Sequence, residues 1–290
     1  MTTDQPGQLD MTKNNLTLQK MWDAYGFDED PYSSSADPRF LYFSDGHKKA
    51  FQGMVETVIQ RLGLTAVIGG YGYGKSTLAR KLAERFRTDP KVILLYLDGI
   101  NYSTEYGVLL AVCDAFRIPH GKGLSGQWKE FMNWVISKAE NDINVVIIFD
   151  EAQMFTKAGL DFVHKSYNFD VTRKLVQTFL VGQTDLTRRL ENKPELRDRV
   201  MSWISILPLN IEETVSLINY RSLVAGRKEP LYTSRAMNAI YNASGGSPRQ
   251  IVIICRECLN VIFNSGKQMV DESEVQLVIN IINSNRLKLL

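Results

Sequence analysis

The sequence predicts an α/β protein, with a parallel sheet of five strands covered by helices on both faces and a smaller all-helical region after it. Three observations carry that expectation. Short apolar runs alternate with helical patterns as far as Leu207. A glycine-rich turn joins the first run directly to a helix. From Asn210 onward only helical spacing remains.

The elements follow in order. Residues 1–20 are polar and aperiodic and are expected to form a mobile tail. An aromatic-rich arm, broken by Pro31, Pro38 and Gly46, then leads into a helix over about 45–62. It reads equally as a tied-down surface loop or as a segment that closes over a nucleotide base. Leu64–Ile68 is the first buried strand, and Thr77–Phe86 is a helix with Leu78, Leu82 and Phe86 on one face. Lys91–Leu97, Asn144–Phe149, Leu175–Val181 and Trp203–Leu207 are the remaining strands, with helices expected over 104–116 and 128–141. Pro208 marks a boundary. Beyond it, helices are expected near 211–225, 234–243, 247–264 and 272–285, with capping-box spacing at Asn210–Glu213 and Asp271–Glu274. The expected domains are therefore 21–209 and 210–290.

Bulk properties narrow the function. The 290 residues are 44% hydrophobic and 23% charged, as in soluble globular proteins. Thirty-four basic against 32 acidic residues leave a net charge of +2, so nucleic-acid binding would need a local basic stripe. Cys255-x-x-Cys258 lies inside an apolar helical run with no second pair, which favours core thiols over a zinc site. Three scattered cysteines suit a reducing cytoplasm. No window reaches the roughly 18 apolar residues of a membrane span, and the polar start is no signal peptide.

The chemistry concentrates at strand ends, where parallel sheets bind ligands. Gly69-Gly70-Tyr71-Gly72-Tyr73-Gly74-Lys75-Ser76-Thr77 satisfies G-x-x-x-x-G-K-[ST] between a strand and a helix. Glycines let backbone N–H groups converge on phosphate, and the helix N-terminus adds partial positive charge. Lys75 is the candidate for the β- and γ-phosphates, and the Ser76 hydroxyl for Mg²⁺. Asp150-Glu151 ends the third strand: Asp150 is a second candidate Mg²⁺ ligand and Glu151 the candidate base for the attacking water. Gln183, at the tip of the fourth strand, is a candidate for contact with the γ-phosphate or the water, or is a plain turn residue. Arg197 and Arg199 precede the fifth strand. Arg199 is the preferred arginine finger because Arg197 has Asp198 beside it, although a solvated charge run reads there too. Ser247-Pro248-Arg249 opens a helix in the C-terminal region, with Ser247 as N-cap and Arg249 on the first turn as a further γ-phosphate candidate.

Together these motifs resemble those of an AAA+ ATPase: an αβα P-loop sandwich of five parallel strands with a C-terminal helical lid. More narrowly, YGF, DPRFLYFS and His47, then DEAQ, LVGQTDL, ELRDRV and GSPRQI resemble the ExeA/TniB/TnsC group. The resemblance implies ATP and Mg²⁺ as cofactors, Gln183 as sensor one, Arg199 as the finger and Arg249 as sensor two. It also implies an active site between subunits of a ring or helical filament. Members that regulate transposition imply double-stranded DNA, a transposase and a target selector as partners. Secretion-associated members of the ExeA type continue into a membrane span, and the lack of one here favours a cytoplasmic transposition regulator. Lys122, Lys129, Lys157 and Lys165 are candidates for phosphate contact, or are scattered surface lysines. An ATP-clamped scaffold with little turnover is the remaining alternative, which Glu151 opposes.

Overall fold

A computed structural model describes residues 19–33, 37–99, 102–169 and 174–287. The segment expected to be a mobile tail falls almost wholly outside them. The chain divides into two compact units, Phe43–Leu207 and the residues up to Tyr42 together with Pro208 onward.

The first unit holds the sheet. Strands β1 (Leu64–Gly69), β2 (Val92–Asp98), β3 (Asn144–Asp150), β4 (Val176–Gly182) and β5 (Val200–Ile206) lie in the order 2-3-4-1-5, and every pairing is parallel. Runs such as Val145–Phe149 and Phe179–Val181 carry apolar side chains on both faces, which only a strand buried on both sides accommodates. Val145, Ile147 and Phe149 face one core with Val112, Phe131 and Phe162. Val146 and Ile148 face the other with Met54, Leu78 and Leu82. Full burial of each such side chain is worth roughly 2 kcal/mol.

Helices α1 (Asp45–Gln60) and α2 (Lys75–Phe86) supply the second core; α3 (Glu105–Phe116), α4 (Gly123–Glu140) and α5 (Lys157–Tyr167) supply the first. The short α6 (Thr184–Glu191) and α7 (Pro194–Arg197) complete the unit. Helix α4 begins five residues earlier than expected. The Gln127 side chain accepts from Gly121 N–H at 2.9 Å and donates to Pro119 O at 3.2 Å, which closes the glycine-rich turn onto the helix start.

The second unit is helical: α8 (Ile211–Val224), α9 (Ser234–Ser244), α10 (Pro248–Ser265) and α11 (Glu272–Leu287). The capping box at Asn210 and Glu213 has both arms. At Asp271 and Glu274 one arm forms, Asp271 N–H to Glu274 Oε2 at 2.9 Å. The Asp271 carboxylate instead accepts from the Thr233 hydroxyl at 2.7 Å. Ser247 occupies the N-cap position of α10 without a side-chain capping bond.

The arm departs from expectation. Residues up to Tyr42, read from sequence with the sheet, pack in the helical unit: Met21, Tyr25, Phe27, Tyr32 and Phe40 share one core with Leu217, Ile240, Cys255 and Cys258. Arg221 of α8 explains the attachment. Its buried guanidinium donates to Pro31 O and Ser33 O, each at 2.7 Å, and to Phe40 O at 3.4 Å. Cys255 and Cys258 are buried thiols, and burial pushes Cys255 up to about 12. Among the described residues no cluster of metal-ligating side chains occurs, and no helix is long and apolar enough to cross a membrane.

Candidate functional site

Sheet order brings three of the sequence motifs to one edge. β4 lies between β1 and β3, and Ile68 is in register with Gly182. The tip of β4 is therefore flanked by the glycine loop after β1 and by Asp150 at the end of β3.

The loop is held from both sides. Gly70 lies under the Tyr73 ring: a Cβ there would come within 2.6 Å of it and push the ring aside. Gly74, the residue before α2, has φ +87°, which glycine adopts without strain. Lys75, Ser76 and Thr77 form the first turn of α2, where unpaired helical N–H groups and the helix dipole favour an anion. Tyr71 is exposed at the crown of the loop. Behind the loop stands His47, to which the residue pattern alone gives no role. Its Nε2 is 2.9 Å from Tyr73 O, so that nitrogen carries the proton and donates. Its Nδ1 is 2.8 Å from the hydroxyl of Ser44, the N-cap of α1.

Lys75 is only 6% exposed, and its ammonium donates to Gly70 O at 2.8 Å. Burial pushes its pKa down, opposed by the negative fields of Glu151 and Asp150. Asp150 is 1% exposed. Its Oδ2 accepts from the Tyr96 hydroxyl of β2 at 2.5 Å and its Oδ1 from Glu151 N–H at 2.9 Å. Glu151 adopts the left-handed conformation, φ 53° and ψ 35°. Such backbone in a residue with a side chain costs on the order of 1 kcal/mol or more and gathers at functional sites. The Glu151 carboxylate accepts from the side-chain amide of Gln153, and the same amide's oxygen accepts from Gln183 N–H at 3.1 Å.

Arg197 pairs with Asp198 at 2.7 Å, as its neighbour suggested. Arg199 is half-buried, with its guanidinium 5.5 Å from the centre of the Tyr167 ring. Arg249 belongs to the helical unit, exposed on the first turn of α10. Lys122, Lys129, Lys157 and Lys165 are all exposed, and Lys165 is also held by Glu105 at 2.7 and 2.8 Å. Sequence reasoning missed Tyr96 and Gln153, which neighbour Asp150, Glu151 and Gln183. Their signals were slight: one hydroxyl in an apolar strand, and the last letter of DEAQ.

ATP with Mg²⁺ fits these residues. A buried ammonium inside a loop of backbone amides calls for polyphosphate. The buried Asp150 carboxylate and the Ser76 hydroxyl are the hard oxygen donors that Mg²⁺ prefers. Bound there, the metal would neutralise charge on the phosphates.

Comparison with known proteins agrees. Residues 59–190 match the model of the AAA domain family. General secretion pathway protein A of Aeromonas hydrophila is 27% identical over 258 residues, covering 87% of this chain and 47% of that protein. The chain thus spans about half the length of this relative, so the absence of a spanning helix among its described residues does not separate the two readings of function. Among solved structures, the ORC2 protein of Aeropyrum pernix in ADPNP–ADP complexes superposes with a TM-score of 0.61 at 14% identity, over 87% of this chain and 71% of that one. The ORC1 protein of the same organism in complex with DNA gives 0.59 at 14%, over 85% and 68%. Strand order, glycine loop and family match point the same way: residues 59–190 match the AAA domain model, and the chain has an α/β P-loop fold of the AAA+ type whose loop and strand-end residues fit ATP with Mg²⁺.

Proposed function

We propose that this chain hydrolyses ATP in an Mg²⁺-dependent reaction, and that it serves as the nucleotide-switched part of a secretion-associated ATPase like general secretion pathway protein A. The observation that carries the reading is the grouping of Lys75, Asp150 and Glu151 around the tip of β4. In this reading Gly69–Thr77 cradle the phosphates, and Ser76 and Asp150 hold the metal. Glu151 takes the proton of the attacking water, and Gln183 orients that water or the γ-phosphate. The sheet unit carries the nucleotide site. Arg249, on the first turn of α10, is the further candidate for the γ-phosphate. Arg199, released from Tyr167, enters the site of a neighbouring copy, so that ATP joins copies and hydrolysis parts them.

Phosphate release and sedimentation test this together. Wild-type chain with ATP should turn over and should associate with a nonhydrolysable analogue. Lys75→Ala should lose nucleotide binding. Glu151→Gln should bind ATP, lose about a hundredfold or more in turnover and remain associated. A folded wild-type chain that stays monomeric and inert with ATP sinks the proposal.

A second reading keeps the same site in a transposition regulator that coats double-stranded DNA in the cytoplasm and recruits a transposase and target selector. The exposed Lys122, Lys129 and Lys157 favour it, together with the fold likeness to a DNA-bound ORC1. It requires ATP-dependent, sequence-tolerant duplex retention on filters that weakens steeply with salt. No retention at low salt with a nonhydrolysable analogue ends it.

A further inference from the structure

Gln153 connects two positions that the proposed reaction uses separately. Its side-chain Nε2 donates to Glu151 Oε2, and its Oε1 accepts the backbone N–H of Gln183 at 3.1 Å. Gln153 is buried, in the single 3-10 turn Ala152–Met154 that follows β3. The approach to β4 is close: a Cβ on Gly182 would lie 2.9 Å from Gln153 Oε1 and 3.2 Å from Gln153 N. Glycine at 182 is thus what lets the amide reach the tip of β4.

The chemistry of an amide makes the link two-ended. The NH₂ group can only donate, and so suits a carboxylate; the oxygen can only accept, and so suits a backbone N–H. Glutamate at 153 would keep the acceptor and lose the donor. Alanine would lose both. The backbone of Glu151 is already fixed in the left-handed region, so the remaining freedom of the base lies in its side chain, and Gln153 restrains that side chain at one oxygen.

We propose that Gln153 is a positioning residue. It holds the Glu151 carboxylate in place and ties it to the Gln183 backbone, so that a ligand touching the tip of β4 changes where the base points. This rests on the hydrolysis reading above, in which Glu151 is the base and Gln183 meets the γ-phosphate or the water.

The test uses the full chain and three proteins: wild type, Gln153→Ala and Gln153→Glu. Hydrogen exchange at the Gln183 amide, without nucleotide, reads the β4 end of the link. Steady-state ATP turnover reads the other end, and thermal melting confirms that each variant is folded. Gln153→Ala should speed exchange at Gln183 by about tenfold or more, from loss of a buried hydrogen bond. Its kcat should fall by about tenfold to a hundredfold, with KM within about threefold. Gln153→Glu should keep the Gln183 amide protected and still lose kcat, because it removes the donor to Glu151 and sets a second carboxylate beside it. Unchanged exchange in Gln153→Ala overturns the proposal. Faster exchange with kcat within about twofold of wild type overturns it as well, since the link would then not position the base. Failure of the hydrolysis reading is told apart at once, because it shows as absent turnover in the wild-type chain.

Discussion

The hydroxyl of Tyr96 donates to Oδ2 of Asp150 at 2.5 Å, across the ladder between β2 and β3. Arg80 of α2 lies over the same ring, 5.7 Å from its centre, and pairs with Asp98 at 3.4 Å. Burial first, and then the Asp150 carboxylate, raises the phenol's pKa, so Tyr96 stays a donor throughout the working range.

Tyr96→Phe should therefore weaken Mg²⁺ use and leave the fold intact. Outer partners of a metal-binding carboxylate typically contribute about tenfold to a hundredfold in metal affinity by fixing its orientation. The Mg²⁺ concentration for half-maximal turnover should rise by about tenfold. Affinity for nucleotide in EDTA should stay where it is. Equal loss of nucleotide affinity with and without Mg²⁺ would place the effect in the loop rather than at Asp150.

His47→Ala should act on the loop instead. It removes the donor to Tyr73 O and leaves a gap beside Gly74, whose Cβ position lies 3.0 Å from His47 Nε2. One buried hydrogen bond is worth about 1 kcal/mol, so nucleotide should bind about fivefold to tenfold more weakly, with or without Mg²⁺. Titration of a fluorescent ADP analogue measures this. Unchanged affinity would show that the loop keeps its shape unaided.

These two contacts mark the limit of what the sequence made legible. Strands β1, β3 and β4 were readable because runs buried on both faces leave a continuous apolar signature, whereas β2 and β5, at the sheet's edges, are only partly buried and were readable from their short apolar runs between helical patterns. The phosphate loop was readable because an apolar strand, a run of glycines ending in Lys-Ser and a helix seldom follow one another for any purpose but holding phosphate. Asp150 and Glu151 were readable because carboxylates ending an apolar strand stand out. Tyr96 was not, because its partner is fixed by a register, Asp98 opposite Asp150, that no local pattern encodes. Helix α5, Lys157–Tyr167, went unread although its apolar spacing is as regular as that of α2. The arm was assigned to the wrong half because Arg221 attaches it through backbone carbonyls, which any residue supplies.

Arg221→Met tests that attachment. The buried guanidinium serves three carbonyls and lies 5.0 Å from the centre of the Phe40 ring. Removing it leaves acceptors without a donor, which should cost about 3 kcal/mol. The arm should become sensitive to limited proteolysis between Asp28 and Phe40 at temperatures where the wild type resists. Arg221→Lys should rescue little, since an ammonium cannot reproduce the fork. Proteolysis identical to the wild type would show that the aromatic core alone holds the arm.

Glu274 gives the helical unit a dependence on acid. Burial alone would raise its pKa; hydrogen bonds from Lys267 Nζ at 2.5 Å, Asp271 N–H at 2.9 Å and the Ser273 hydroxyl at 2.8 Å outweigh it and hold the carboxyl below its usual range. A carboxyl with a depressed folded pKa stabilises the folded state fully above its unfolded pKa, about 4.3 for glutamate, and loses that contribution as pH falls through the lower folded value. Glu274→Gln keeps the shape and removes the charge. Its unfolding free energy should therefore lie about 1 to 2 kcal/mol below the wild type's, constant from pH 6 to 8, with the gap closing below about pH 4. Denaturant unfolding followed by far-ultraviolet circular dichroism at each pH measures the gap. A gap that persists unchanged at pH 3, or widens there, would show that the loss comes from shape or packing and not from the carboxylate's charge.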